Sequence, residues 1–172
     1  MGGGGTRLDL THNLPNPSGP WYVTDRNFPS PPRLLVPLTT RFALAALAPD
    51  FDGLRAACDR LGFLGCYVYS VPEPTGRAAA RMFALSIGVP EDIANANSTA
   101  GLAAHLAGQG TTRIAVDMGD SLGSLATFTA TTQPGPAGPL IHLGGTARLI
   151  RVVRLPGLEP TAGYRLLART TG

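Results

Sequence analysis

Asp92 stands beside a run of hydrogen-bonding side chains, Asn95, Asn97, Ser98 and Thr99, with Glu91 just before it. All four of those side chains can accept from the free N–H groups of a first helical turn. Free amides and the positive end of a helix dipole make such a turn a seat for a ligand carboxylate or phosphate. A carboxylate a few residues away can then move a proton on the same ligand, which is general acid/base chemistry. The same spacing also describes an ordinary capped helix whose acidic neighbours merely suit its dipole. From the residues alone, both readings stay open.

The elements that must position this group follow from hydrophobic pattern. Residues 82–87 read as an apolar strand, residues 88–97 as a polar elbow, and residues 98–106 as a helix of small residues. From Ala100 to Leu106 every residue but His105 is small or aliphatic, and a helix apolar on nearly every side must be buried. Strands are expected at residues 34–38, 64–70, 79–87, 112–117, 125–131, 140–143 and 146–155. The proline in the first of these suggests an edge or a bulge, and Gly144 with Gly145 suggests a bulge or a close approach. Residues 40–47 make a short helical piece. Residues 49–61 form an amphipathic helix with Asp50 as its cap and Gly62 as its stop. The economical architecture is α+β, an antiparallel sheet curled around one central apolar helix whose N-terminus opens at one mouth.

Three stretches organise the chain: a Gly/Pro-rich arm over residues 1–32, a single domain over 33–155, and a tail over 156–172. In the arm, Leu14-Pro-Asn-Pro-Ser-Gly-Pro20 and Phe28-Pro-Ser-Pro-Pro32 remove ladder donors and fix φ, so it reads as mostly irregular. Trp21-Tyr-Val-Thr24 interrupts it with strand-forming residues that suit docking on the folded body or on a partner.

Composition excludes several classes. At 172 residues, 44% hydrophobic and 15% charged, the chain can build one genuine core and is not disordered overall. No apolar run approaches the ~18 residues that span a bilayer. The four glycines after Met1 carry no hydrophobic core of a secretory signal. A cytoplasmic protein is the expectation. The net charge is +3, all of it from arginine since lysine is absent. The one local cluster, Arg148, Arg151 and Arg154, would split between two faces of a strand. Nucleic-acid binding wants a denser stripe interleaved with aromatics, so no nucleic-acid partner is expected. Cys58 and Cys66 have no metal-ligand spacing and read as small buried hydrophobes. With three histidines far apart, no metal site is expected. His105 falls near the far end of the helix, where a helix-terminal role is the simpler reading. Asp117 and Asp120 read as solvated strand-end residues, with Asp120 able to face the mouth.

The stretch Ala80-Arg-Met-Phe-Ala-Leu-Ser-Ile-Gly-Val-Pro-Glu-Asp-Ile-Ala-Asn-Ala-Asn-Ser98 resembles the hallmark of the PhzF-like isomerases of phenazine biosynthesis, R-x-F-x-P-x-x-G-x-x-E-D-P-A-T-G-S-A. Arg33-Leu-Leu-Val-Pro-Leu38, Pro49-Asp-Phe51 and Cys66-Tyr-Val-Tyr69 follow the order of that family's second half. Met118-Gly-Asp-Ser-Leu-Gly-Ser-Leu-Ala126 sits where the family has Q-G-x-x-M-G-R-P-S, and His142-Leu-Gly-Gly-Thr-Ala147 where it has a V-G-G-x-A strand. Coverage runs from about residue 33 to 155.

The resemblance implies a fold like that of diaminopimelate epimerase: two similar domains, each a sheet wrapped on a central helix, with a cofactor-independent site in the cleft between them. This chain resembles the second domain only. The family's principal acid/base glutamate and an accompanying histidine lie in the first domain and have no counterpart here. Glu91 and Asp92 are kept, and Asp92 matches an active-site aspartate. Proline becomes Ile93, threonine Asn95, glycine Ala96 and serine Asn97. Ala96 adds a Cβ at an anion-binding turn, and Ser124-Leu-Ala126 lacks the family's arginine.

The expectations are therefore Asp92 as the catalytic acid/base and Asn95, Ala96, Asn97, Ser98 and Thr99 as the substrate-binding turn, with no cofactor. The reaction would be an isomerisation or cyclisation of a small organic metabolite in specialised, antibiotic-type biosynthesis. A second copy in a homodimer, or a separately encoded first-half protein, would supply the missing wall. The altered hallmark equally suits a non-catalytic ligand-binding or scaffolding remnant. It also suits a pocket that shapes an apolar substrate for ring closure.

Overall fold

The protein is described by a computed structural model at residues 22–23, 32–136 and 138–147. Eight strands and three α-helices alternate along it: β1 (Tyr22–Val23), β2 (Arg33–Leu38), α1 (Arg41–Ala45), α2 (Phe51–Leu61), β3 (Gly65–Ser70), β4 (Arg77–Ala84), β5 (Val89–Asp92), α3 (Ala96–Ala107), β6 (Arg113–Met118), β7 (Ala126–Gly135) and β8 (Gly138–Gly145). The strands form one sheet in the order β1-β2-β3-β4-β6-β7-β8, with β5 paired to β4. Its two ends, β1 and β8, both reach α3, so the sheet curls around that helix. The expected α+β class and central helix are therefore present.

The pairing is mixed rather than wholly antiparallel. β2 runs parallel to β3, and β4 runs parallel to β6; the other pairs are antiparallel. Each parallel pair needs a crossover, and the helices supply it: α1 and α2 between β2 and β3, and α3 between β4 and β6. β2 and β4 point in opposite senses while both crossovers step the same way across the sheet. Right-handed crossovers then place the two helical layers on opposite faces. The buried residues fall into two matching clusters. Leu35, Tyr67, Tyr69, Met82, Val116 and Met118 pack with Leu102 and Leu106 of α3. Leu34, Cys66, Val68 and Phe83 pack with Leu44, Leu54 and Cys58 of α1 and α2.

Local signals explain most boundaries. Thr40 Oγ1 accepts from Ala43 N at the start of α1, and Asp50 from Gly53 N at the start of α2. Gly62 ends α2 with φ +70°, a left-handed conformation that glycine adopts without a Cβ clash. Pro37 lies beyond the two residues of β2 that pair with β1, on a stretch of that strand with no second neighbour among the described residues. Gly144 and Gly145 stay in register with Thr129 and Phe128, so no bulge forms there. Closeness explains Gly144 instead: a Cβ on it would come within 2.8 Å of Thr129 Oγ1. Of the expected N-terminal arm, Tyr22–Val23 forms β1 on the edge of β2; the rest of it up to residue 31, the Arg148–Arg154 cluster and the tail lie outside the described residues. Both cysteines are free and buried, as small hydrophobes are; burial pushes the Cys58 thiol up to about 11. Among the described residues no helix is long and apolar enough to cross a membrane.

Candidate active site at the mouth of the central helix

The elbow of residues 88–97 contains a strand that pattern reading missed. After a 3-10 turn at Leu85–Ile87, Gly88 turns the chain back with φ +79°, and β5 pairs with the C-terminal half of β4 through Ala84↔Val89 and Met82↔Asp92. The N-terminal half of β4 pairs with β6 instead. Asp92 thus sits where β4 parts from β6, immediately before α3. Four residues, none of them fully buried, are too few for a periodic signal to identify.

Asn95 caps α3. Its Oδ1 accepts from Ser98 N at 2.8 Å, and its carbonyl oxygen accepts from Thr99 N at 3.1 Å and from Thr99 Oγ1 at 2.9 Å. Its Nδ2 donates to Asp92 Oδ2 at 2.9 Å, which ties the carboxylate to the helix entrance. Asp92 Oδ1 receives a longer contact from Ala94 N at 3.4 Å. Among the described residues, the N–H groups of Ala96 and Asn97 meet no acceptor. They are the donors left free at the positive end of α3.

The expected binding residues divide by direction. Asn95 and Ala96 are half-buried and Asn97 is exposed, so these three remain at the surface of the mouth. Ser98 and Thr99 do not present their hydroxyls there, being 1% and 0% exposed. Ser98 Oγ reaches Met82 Sδ at 3.6 Å, and Thr99 Oγ1 meets the Tyr67 hydroxyl at 2.8 Å. Helical geometry forces this: Ser98 and Thr99 lie on the face of the first turn that looks onto the sheet, next to Leu102. Their hydroxyls fix the helix to β3 and β4.

Glu91 proves to be a structural anchor. Arg81 grips it with two hydrogen bonds, Nε to Oε1 at 2.8 Å and Nη2 to Oε2 at 2.7 Å, while Ser121 Oγ also donates to Oε1. Arg81 Nη1 donates to Leu47 O at 2.7 Å, and the guanidinium lies 5.1 Å from the centre of the Phe83 ring. Burial pushes the Glu91 carboxyl up, yet the Arg81 and Ser121 hydrogen bonds and the guanidinium charge outweigh it and hold the pKa below the ordinary value. A carboxylate so held stays ionised and is poorly placed to give or take protons. It instead binds β5 to β4 and to the 3-10 turn at Asp120–Leu122.

That turn forms the second side of the mouth. Gly119, at φ +77°, packs so closely that a Cβ would meet Ser124 O and Ile93 O within 3.0 Å. Around it Ile93, Leu122 and Leu125 are 44%, 44% and 63% exposed. Large apolar side chains open to solvent thus stand at Ile93, next to Asp92, and on the segment packed against it.

Asp117 is a correction to the solvated strand-end expectation. It is 3% exposed, accepting from Arg41 at 2.9 Å, from Arg77 Nε and Nη2 at 2.9 Å each, and from Thr127 Oγ1 at 2.8 Å. Burial raises its pKa, but those hydrogen bonds and the Arg77 charge bring it below the ordinary value. Its cluster joins α1, β4, β6 and β7 on the face away from α3. Asp120 stays exposed in its turn. Among the described residues no group of three or more His, Cys, Asp or Glu side chains converges as metal ligands would.

Sheet and central helix make a half-barrel α+β domain with a carboxylate tied to the helix entrance. The family model for phenazine biosynthesis-like proteins, PhzC-PhzF, matches residues 10–150, and the chain belongs to that family. Its crystal-structure neighbours include a Bacillus anthracis phenazine biosynthesis protein of the PhzF family, 13% identical with a TM-score of 0.54, covering 67% of this chain and 42% of that one. An Enterococcus faecalis PhzF-family protein is 19% identical with a TM-score of 0.54, covering 70% of this chain and 42% of its own. This chain therefore spans less than half the length of those relatives. No protein of curated function matches it.

Proposed function

We propose that the chain is a cofactor-independent isomerase or cyclase for a small organic metabolite of specialised biosynthesis, with its site at the α3 mouth completed by a second chain. The observation that carries this reading is one juxtaposition. The Asp92 carboxylate is tied to the entrance of α3, where the Ala96 and Asn97 N–H groups are free, and exposed Ile93, Leu122 and Leu125 lie just after Asp92 and on the segment packed against Ile93. The two amides and the α3 dipole suit an anionic or strongly polar substrate group. Asp92 moves the proton, and Asn95 orients it through the Asn95 Nδ2 contact. The exposed apolar border suits the wall that a second body would bring, because a patch of that kind costs free energy while it faces water. A second copy related by a two-fold axis is the simplest such body; a separately encoded first-half protein is the other.

Asp92→Asn tests the role of the carboxylate. It keeps the shape and can keep an amide contact to Asn95. Turnover of the metabolite should fall by at least about a hundredfold, while the melting temperature stays within a few degrees. Unchanged turnover would remove Asp92 from the mechanism.

One observation favours a second reading, a ligand-binding remnant without catalysis. Both Asp92 oxygens already have protein partners and Glu91 is locked by Arg81, so no carboxylate at the mouth is free of protein contacts. Asn95→Ala separates the two readings. Releasing Asp92 should weaken turnover in an enzyme, whereas a remnant would show ligand binding and no turnover in either form.

A further inference from the structure

A second concavity lies at the other end of α3, a helix roughly 16 Å long at 1.5 Å per residue. It is a cleft of about 790 Å3 between the loop joining β3 to β4 and the segment joining α3 to β6. This is the size range of sites for small organic molecules. Pro37, Leu106 and Ile114 give it an apolar floor, and Tyr69, His105 and Gln109 bring polar groups to it.

Tyr69 is the decisive residue. It is only 4% exposed, lines the cleft, and its hydroxyl has no hydrogen-bond partner among the described residues. Its neighbour two residues away, Tyr67, points the same way off β3 but has its hydroxyl bonded to Thr99 Oγ1. The ring is buried while the hydroxyl itself opens to the cleft, where it is available to donate to a bound molecule in place of water. His105 and Gln109, one helical turn apart, are held together at 3.0 Å between their Nε2 atoms. Burial lowers the His105 pKa, which keeps the imidazole neutral at pH 7. The groups inside the cleft are thus uncharged hydrogen-bonding groups. At the rim Glu73 and Arg113 oppose each other in charge, so the opening selects neither cations nor anions.

We infer that this cleft is a second binding site, for an uncharged ring-bearing organic molecule whose oxygen accepts the Tyr69 proton. The ring covers Pro37, Leu106 and Ile114, and the His105–Gln109 pair meets a further polar group. The site is separate from the Asp92 mouth and does not depend on the reaction proposed there.

Titration of the full chain with benzamide, cyclohexanone and catechol, followed by amide NMR, tests it. At least one probe should give saturable shifts at Tyr69, His105, Gln109 and Ile114. Tyr69→Phe should weaken that probe about fivefold, the size of one net hydrogen bond, with an unchanged melting temperature because the hydroxyl bonds nothing among the described residues. Gln109→Leu, an exposed change in the turn just after α3, should weaken it without touching the core. Shifts that gather at Asn95 and Asn97, equal affinity in Tyr69→Phe, or no saturable shift with any of the three probes would overturn the inference.

Discussion

At the scale of single residues, three carboxylates that look alike in the sequence have three different environments. Glu91 and Asp117 are anchored by arginines, while the Asp92 carboxylate accepts, among the described residues, from Asn95 and the Ala94 amide. Their pH behaviour follows with a definite sign. Glu91 and Asp117 have folded-state pKa values below their ordinary ones, so each adds stability that is complete above about pH 5. That stability is lost as the pH falls through the lower folded values. Urea midpoints between pH 7 and pH 3 should drop, and the drop should shrink in Glu91→Gln and in Asp117→Asn. Glu91→Gln should itself cost about 3 kcal/mol at pH 7, because Arg81 is left nearly buried without its counter-charge. Asp117→Asn should cost less, about 1–2 kcal/mol, since Arg41 and Arg77 are more open to water. Sequence showed where these acids lie but not their partners, for Arg41 is 76 residues from Asp117 and no local spacing encodes that contact.

At the scale of elements, α3 has to be held at its N-terminus for the mouth to exist. Asn95→Ala should destabilise the fold by about 1 kcal/mol through loss of the cap, read as a lower thermal midpoint. It should also free Asp92. The helices were largely legible: Asp50 and Gly62 mark α2, and an unbroken run of small residues marks α3 as buried. The turn at the start of α3 was legible in type but not in direction. Ser98 and Thr99 have the chemistry of ligand contacts, yet the 3.6-residue period sends them to the core side and leaves Asn95, Ala96 and Asn97 outside. The parallel pairs were not legible at all. An apolar run such as Cys66-Tyr-Val-Tyr69 is buried on both faces, so it carries no alternation from which partner or sense could be read.

At the scale of the whole molecule, the curled sheet closes around α3 on the β1 and β8 sides, and among the described residues Asn95, Ala96 and Asn97 stay at the surface of its N-terminal end. The family and the central-helix fold were readable because the Arg81–Ser98 stretch keeps its arginine, phenylalanine, glycine and acidic pair in order. The surface that would meet a second body was not. Ile93, Leu122 and Leu125 are scattered over 33 positions, and the segment carrying the last two meets Ile93 only when β5 folds back on β4 and Gly119 packs on Ile93. This assembly is what the proposed function needs most. Sedimentation equilibrium of the wild-type chain and of Leu125→Asp tests it most directly. The expected result is a two-fold multiple of 17.8 kDa for the wild type, or a complex with a first-half partner, and 17.8 kDa for a folded Leu125→Asp variant. A wild-type chain that stays at 17.8 kDa at every concentration, alone and with such a partner, would contradict a site completed at the Asp92 mouth.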